Sequence, residues 1–168
     1  MLAKCDLFFF VVFALAGASS FGCEEGENTV FQCQAGKKIV SLCLSEKVGS
    51  NKGALRYVFG FPGQIPELIY SNKEKALSEV FTFDYEPWAK GSRSIVTFAR
   101  GSYMYFVHVS TSSFPYAETP DEAGVRVFLN GTEIGQVNCD METVRNNMYQ
   151  FLHVKNLPRY SEPKKPSR

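Results

Sequence analysis

The sequence predicts a mainly β protein, an antiparallel β-sandwich or flattened barrel of about 8–9 strands with one C-terminal helix. Its 168 residues are 45% hydrophobic and 14% aromatic, enough apolar surface for one compact core. Short runs rich in Val, Ile, Phe and Tyr recur between turn signals, as in antiparallel sheets. Four of the five cysteines follow an apolar leader, which indicates an exported domain stabilised by disulfides.

Residues 1–22 have the three parts of a secretory signal peptide. Lys4 lies near the start, an apolar run covers 7–16, and small residues come next. The run is too short for a transmembrane helix, which needs about 20 residues. We therefore expect the segment to be removed and the mature protein to be periplasmic or secreted.

The sequence does not decide which peptide bond is cleaved. Small residues allow cleavage after Ala18, Ser20 or Gly22. Cleavage just before Cys23 would also allow a bacterial lipid to be attached to that residue, although "SFGC" lacks the usual aliphatic residue three positions earlier. Only with this lipid would the protein be bound to a membrane.

The four cysteines of the mature chain predict two disulfides. Four thiols permit three pairings, and sequence alone does not choose between them. We expect Cys33 to pair with Cys43 across a hairpin, and Cys23 with Cys139 between the ends of the domain. Their spacing lacks the close C-x-x-C pairs of zinc and redox sites, and no glycine-rich phosphate loop occurs, so no metal or cofactor is expected.

Nine strands are predicted in a single domain, residues 23–156. They cover, in chain order, 29–33, 38–44, 55–60, 66–71, 80–85, 94–99, 102–110, 124–130 and 132–139.

Two hairpins have clear turn signals. Asn130-Gly131 supplies the two positive-φ residues of a type I′ turn, and Gly101 marks a second tip, with either Arg100 or Ser102 beside it. The strand at 102–110 has apolar side chains on both faces, which predicts a central position in its sheet.

The spacing of the apolar residues changes in the C-terminal region. Met141, Val144, Met148 and Phe151 recur at helical spacing behind a possible N-cap, Asp140, which predicts one helix of about three turns. Residues 157–168 are polar and proline-rich, so we expect a disordered tail.

Charge and composition exclude several functions. A net charge of +1 gives no field that would attract nucleic acid. The chain has only two histidines and no G-x-S-x-G motif, so a hydrolase using His108 is a minor alternative and no catalytic residue is expected. A protein partner is the expected ligand. Trp88, which is followed by Lys90 and Arg93, is a candidate contact if its side chain is exposed; the alternative is a tryptophan that packs a loop onto the core.

Four segments resemble a widespread group of small exported bacterial proteins. They are "FQCQAGKKIVSLC", "ALRYVFGFPGQIPELIYS", "VTFARGSYMYFVHV" and "GVRVFLNGTEIGQVNC", which together span most of residues 30–139. The resemblance implies an exported β-domain, and it supplies no activity.

One of these segments also resembles the periplasmic lysozyme inhibitors, small disulfide-containing β proteins. Those proteins insert a Ser-Gly-x-Tyr loop into the active cleft of a lysozyme. The matching positions here are Arg100, Gly101, Ser102 and Tyr103, so arginine replaces the leading serine. The sequence thus predicts a non-catalytic binding or structural protein of the bacterial envelope, with inhibition of a lysozyme-like glycosidase as the sharper alternative.

Overall fold

A computed structural model describes residues 22–45, 54–71, 75–112, 120–153 and 157–159. They form two five-stranded antiparallel sheets packed face to face, which confirms the predicted sandwich. Sheet A has the strand order β10-β1-β2-β3-β4, and sheet B has the order β5-β6-β7-β8-β9. The strands are β1 (Glu27–Ala35), β2 (Lys38–Ser45), β3 (Leu55–Gly60), β4 (Leu68–Ser71), β5 (Phe81–Trp88), β6 (Gly91–Arg100), β7 (Tyr103–Ser112), β8 (Glu122–Leu129), β9 (Thr132–Asn138) and β10 (Arg145–Asn146).

The nine predicted strands correspond to β1–β9, while β10 was not predicted. One helical turn, Leu77–Val80, connects the two sheets and places Leu77 in the core. β7 lies at the centre of sheet B, as its two apolar faces predicted. Of the predicted signal peptide, residues 1–21 lie outside the described residues and Gly22 is described.

Both predicted hairpin turns are present. Asn130 (φ 50°) and Gly131 (φ 83°) join β8 to β9 with positive φ at both positions, as a type I′ turn requires. Gly101 (φ 60°) and Ser102 join β6 to β7 with positive φ at the glycine only, which is the type II′ pattern.

Aromatic packing joins the two sheets. The Phe98 ring of sheet B stacks on Tyr70 of sheet A at 4.8 Å and on Tyr105 of its own sheet at 4.9 Å. Tyr57 of sheet A lies 5.1 Å from the same ring and is almost fully buried. Burial raises the pKa of the Tyr57 hydroxyl, so this group stays neutral within the core.

All four cysteines form disulfides, but the expected pairing is wrong. The bonds join Cys23 to Cys43 and Cys33 to Cys139. In the β1–β2 hairpin, Cys33 lies opposite Val40, whereas Cys43 lies opposite Thr29. The Cys33 and Cys43 side chains are therefore too far apart along the hairpin to bond, and each sulfur meets a cysteine from outside it.

The two disulfides close loops of different length. The Cys33–Cys139 bond links sheet A to the end of β9 in sheet B, across a sequence separation of 106. The Cys23–Cys43 bond spans 20 residues. Loop-closure entropy gives stabilisations of about 4.8 and 3.3 kcal/mol, respectively.

The predicted C-terminal helix is also wrong. Two short 3₁₀ helices, Met141–Thr143 and Met148–His153, flank β10, which pairs with β1. Asp140 does cap the first of them, because its side chain accepts a hydrogen bond from the Glu142 amide. The apolar positions still face the core: Met148 and Phe151 are buried there.

The tail prediction is wrong at its first residues. Leu157 packs against the core, and the Pro158 carbonyl accepts a hydrogen bond from the Phe83 amide on β5. The folded domain therefore extends beyond residue 156. Residues 160–168 lie outside the described part of the chain.

Non-reducing peptide mapping of the purified protein tests the cysteine pairing. We expect peptides cross-linked through Cys23 and Cys43, and through Cys33 and Cys139, because the β1–β2 register places the sulfurs in these two pairs. A peptide containing a Cys33–Cys43 bond would contradict this register.

Candidate functional site

One end of sheet B carries a cleft between two hairpin turns. The turns are Gly101-Ser102 and Asn130-Gly131, and the Asn130 amide donates a hydrogen bond to the Ser102 carbonyl at 3.2 Å. The cleft has a volume of about 240 Å³. We call it the tip cleft; its lining residues are Ala99, Gly101, Ser102, Tyr103, Met104, Phe106, Phe128, Asn130 and Gly131.

The floor of the tip cleft is apolar. Tyr105 and Val107 point into the core, so Met104 and Phe106, which alternate with them, lie on the outer face of sheet B. The Phe106 ring meets the Phe128 ring edge-on, with centroids 5.0 Å apart. Strand pairing thus assembles an aromatic surface from two strands.

A cation lies beside this floor, on the same outer face of sheet B. The Arg126 guanidinium lies 5.3 Å from the centre of the Phe128 ring and pairs with the Glu133 carboxylate on β9. The hydrogen bond from Arg126 lowers the pKa of Glu133. The carboxylate therefore stays charged, and the pair persists, to a lower pH than an unpaired glutamate would allow.

The rim of the tip cleft has polar groups available for a ligand. Among the described residues, the Ser102 hydroxyl and the Asn130 side-chain amide have no hydrogen-bond partner. Arg100 is exposed, and it forms no ion pair within the described ranges. Within the described part of the chain, the cleft thus combines an apolar floor with two neutral polar groups, and Arg100 lies next to it without being among its lining residues.

The structure brings together four of the five residues predicted to contact a partner. Gly101, Ser102 and Tyr103 line the tip cleft, and Arg100 lies next to them at the end of β6. Trp88 lies at the opposite end of sheet B, about 30 Å away at 3.3 Å per residue along β6.

Trp88 serves a local structural role. Its indole packs over Gly91, where an added Cβ would lie 2.1 Å from the Thr111 carbonyl oxygen and 2.8 Å from the ring. A side chain at position 91 would clash with both this backbone oxygen and the indole, so glycine is needed there. This contact leaves 48% of Trp88 exposed.

His108 has the environment of a structural residue. It is 5% exposed, and its Nε2 lies 3.1 Å from Oε1 of Glu122. Because a carboxylate only accepts, the ring proton is assigned to Nε2. Nδ1 is buried and has no hydrogen-bond partner, so no hydroxyl of the described residues is placed to act as its nucleophile.

A second cavity of about 340 Å³ lies beside β10. Part of its polar lining is satisfied internally: the Gln34 amide donates to Thr143 Oγ1, which itself donates to the Asp140 carbonyl. Larger volume alone does not make a binding site, and the tip cleft is the better candidate because its floor is apolar and aromatic.

One cysteine and glutamate cluster resembles a metal site in its spacing. Cys23, Glu27 and Cys43 place their ligand atoms within 4.8 Å of one another. The two sulfurs are bonded to each other, however, and a disulfide supplies no thiolate to a metal.

Sequence reasoning missed the aromatic floor. Phe106 and Phe128 are adjacent only because β7 pairs with β8, and the outward direction of Met104 and Phe106 was the one available signal.

The comparisons with known proteins give no relative. No protein-family model, no curated protein and no solved structure matches the chain. Within the described ranges, no helix has the length and apolar character needed to cross a membrane.

Substitution of His108 tests its structural role. We expect His108→Ala to lower the free energy of unfolding by about 1–2 kcal/mol, because it removes a buried side chain and its hydrogen bond to Glu122. His153→Ala, at an exposed position, is the control and should change it by less than about 0.5 kcal/mol. Equal effects of the two substitutions in urea unfolding would contradict the buried role of His108.

Proposed function

We propose that this chain is an exported, non-catalytic binding protein of the bacterial envelope, and that its tip cleft receives an apolar side chain of a protein partner. The observation that carries this proposal is the position of an apolar cleft, with unused polar groups on its rim, at the end of sheet B.

Cleft size favours a side chain over a whole ligand. Sites for small molecules generally enclose about 300–1,000 Å³. The tip cleft encloses about 240 Å³ and is floored by Met104, Phe106 and Phe128. This space suits one apolar side chain, of the kind that anchors many protein interfaces.

A cation next to the cleft, although outside its lining, favours a partner that carries a carboxylate near that side chain. Arg100 provides an exposed guanidinium without an ion pair among the described residues. Arginine and tyrosine are enriched among the residues that dominate binding energy, and here Arg100 and Tyr103 occupy paired positions across one turn. An anionic group on the partner would complement this charge.

The site is held in shape before binding. Each turn has only two residues, and the hydrogen bond from Asn130 to Ser102 joins them. A preorganised site loses little conformational entropy on association, which favours affinity.

Export is supported by the disulfides. Two disulfides form and persist in oxidising compartments such as the periplasm, and they are rare in the cytosol. The signal-peptide pattern and the resemblance to exported bacterial proteins agree with this location.

Site-specific photo-crosslinking in the periplasm tests the proposal. A photoreactive phenylalanine analogue is introduced at Tyr103 in one variant and at Trp88 in another, since these aromatics are similarly exposed (42% and 48%) at opposite ends of sheet B. We expect one discrete protein adduct from position 103 and none from position 88. The adduct then identifies the partner for purification.

Affinity measurements on the purified pair complete this test. Tyr103→Ala should weaken binding about 30-fold, the effect of losing about 2 kcal/mol at an interface hot spot, and Trp88→Ala should weaken it less than about twofold. Crosslinked adducts from position 88 alone, or equal losses of affinity in Tyr103→Ala and Trp88→Ala, would show that the partner does not bind at the tip cleft.

A second candidate is inhibition of a lysozyme-like glycosidase. It is favoured by the narrow turn at Gly101-Ser102, which presents Arg100 and Tyr103 on adjoining strands. The guanidinium could pair with a catalytic carboxylate in place of the serine of known inhibitors.

Enzyme assays distinguish this second candidate. Nanomolar inhibition of at least one enzyme in a panel of lysozymes is expected, with loss of about 30-fold in Arg100→Ala and no loss in Lys90→Ala, a cation at the opposite end of the sheet. If no lysozyme in the panel is inhibited, the glycosidase reading is wrong and the general binding function is unaffected.

A further inference from the structure

The segment Gly22–Glu27 is fixed to the outer face of sheet A by two kinds of bond. The Cys23–Cys43 disulfide attaches it to β2. The Arg56 side chain, on the neighbouring strand β3, attaches it through hydrogen bonds and ion pairs. We call this segment, with its contacts to Cys43 and Arg56, the N-terminal latch.

Arg56 is the buried centre of the latch. Its residue exposure is only 6%, and its Nε and Nη2 donate to the two carboxylate oxygens of Glu27 at 3.0 and 2.6 Å. Its Nη1 lies 3.4 Å from a Glu24 oxygen. The hydrogen bond to Glu27 raises the pKa of Arg56, so the guanidinium remains charged in its buried position.

The Gly22 carbonyl completes the contacts of Arg56. It accepts a hydrogen bond from Nη2 at 2.9 Å, and this contact is buried. Each hydrogen-bond donor of a buried cation needs an acceptor, because a buried donor without one has given up its hydrogen bonds to water and gained none in return. Gly22 thus belongs to the folded domain, although it precedes Cys23 and was predicted to be part of the leader.

From these contacts we propose that the leader is cleaved N-terminal to Gly22, so that the mature chain begins at Ser19 or Phe21, and that Cys23 carries no lipid. This inference rests on the export of the chain, which is part of the proposed function, and does not depend on binding at the tip cleft.

Hydrolysis of the Gly22–Cys23 bond would damage the latch. Water would convert the Gly22 carbonyl into a carboxylate that departs with the leader, and Cys23 would keep a new ammonium group. Arg56 would keep the Glu27 carboxylate but lose the Gly22 acceptor, and a second cation would lie beside the buried guanidinium. Like charges in a buried site repel strongly.

Lipid attachment would remove the other half of the latch. Transfer of a diacylglyceryl group to Cys23 replaces the thiol hydrogen with carbon and forms a thioether. That sulfur then has no valence left for a bond to Cys43, so the lipidated chain would lack the Cys23–Cys43 disulfide. The two modifications of Cys23 are mutually exclusive.

Intact mass spectrometry of the exported protein tests this directly. The full chain is expressed with its own leader in a bacterium, purified from the envelope without reductant, and extracted with and without detergent. We expect a mass that begins at Ser19 or Phe21 and is four hydrogens lighter than the reduced chain, because of the two disulfides. A chain that begins at Cys23, with or without lipid, or one that keeps its leader, overturns the proposal.

Two defined N-termini test the role of the Gly22 carbonyl. One form begins at Gly22 and the other at Cys23, and both are oxidised before thermal unfolding is measured. The form that begins at Cys23 should melt about 3–10 °C lower, because a hydrogen bond to a buried charge is lost. Equal melting temperatures would overturn the proposed basis for the cleavage position, whereas crosslinking at the tip cleft would be unaffected.

Discussion

The packing of Phe98 between the sheets is the constraint on which the rest of the structure depends. Its ring contacts Tyr57 and Tyr70 of sheet A and Tyr105 of its own sheet, so the inner face of sheet B is committed to the core. Since side chains alternate along a strand, burying Tyr105 forces its neighbour Phe106 to the outside. The apolar floor of the tip cleft is therefore a by-product of core packing, and it lies at the end of sheet B between the two hairpin turns.

Local signals predicted the strands and turns, because alternation and turn residues act over a few positions. The cysteine pairing depended on strand register, which a two-residue turn at Gly36 fixes and composition does not reveal: Cys33 comes to lie opposite Val40 and not opposite Cys43. The prediction of a C-terminal helix was wrong for a different reason. The spacing of the apolar residues fits a helix, but Arg145 and the next residue pair with the edge of β1. This tertiary contact overrides the local preference for a helix.

The candidate site was predictable in part for the same reasons. The Gly101 turn was evident from the sequence, and so Tyr103 beside it could be named. Phe128 could not be named, because it reaches Phe106 only through the pairing of β7 with β8. Trp88 was chosen for being a lone exposed aromatic, a property shared by residues that pin a turn. The type of a surface residue therefore says little about whether it belongs to a binding site. The strand order is needed to show which residues lie beside it.

The two disulfides interleave along the chain, so one wrong bond between the first two of these cysteines blocks both native ones. Cys33 lies nearer in sequence to Cys23 than the native partner Cys43 does, and a Cys23–Cys33 bond would join a pair absent from the folded protein. The native partner of Cys33 lies 106 positions further along the chain. Any such early bond has to be opened by thiol–disulfide exchange, through a mixed disulfide, before both native bonds can form.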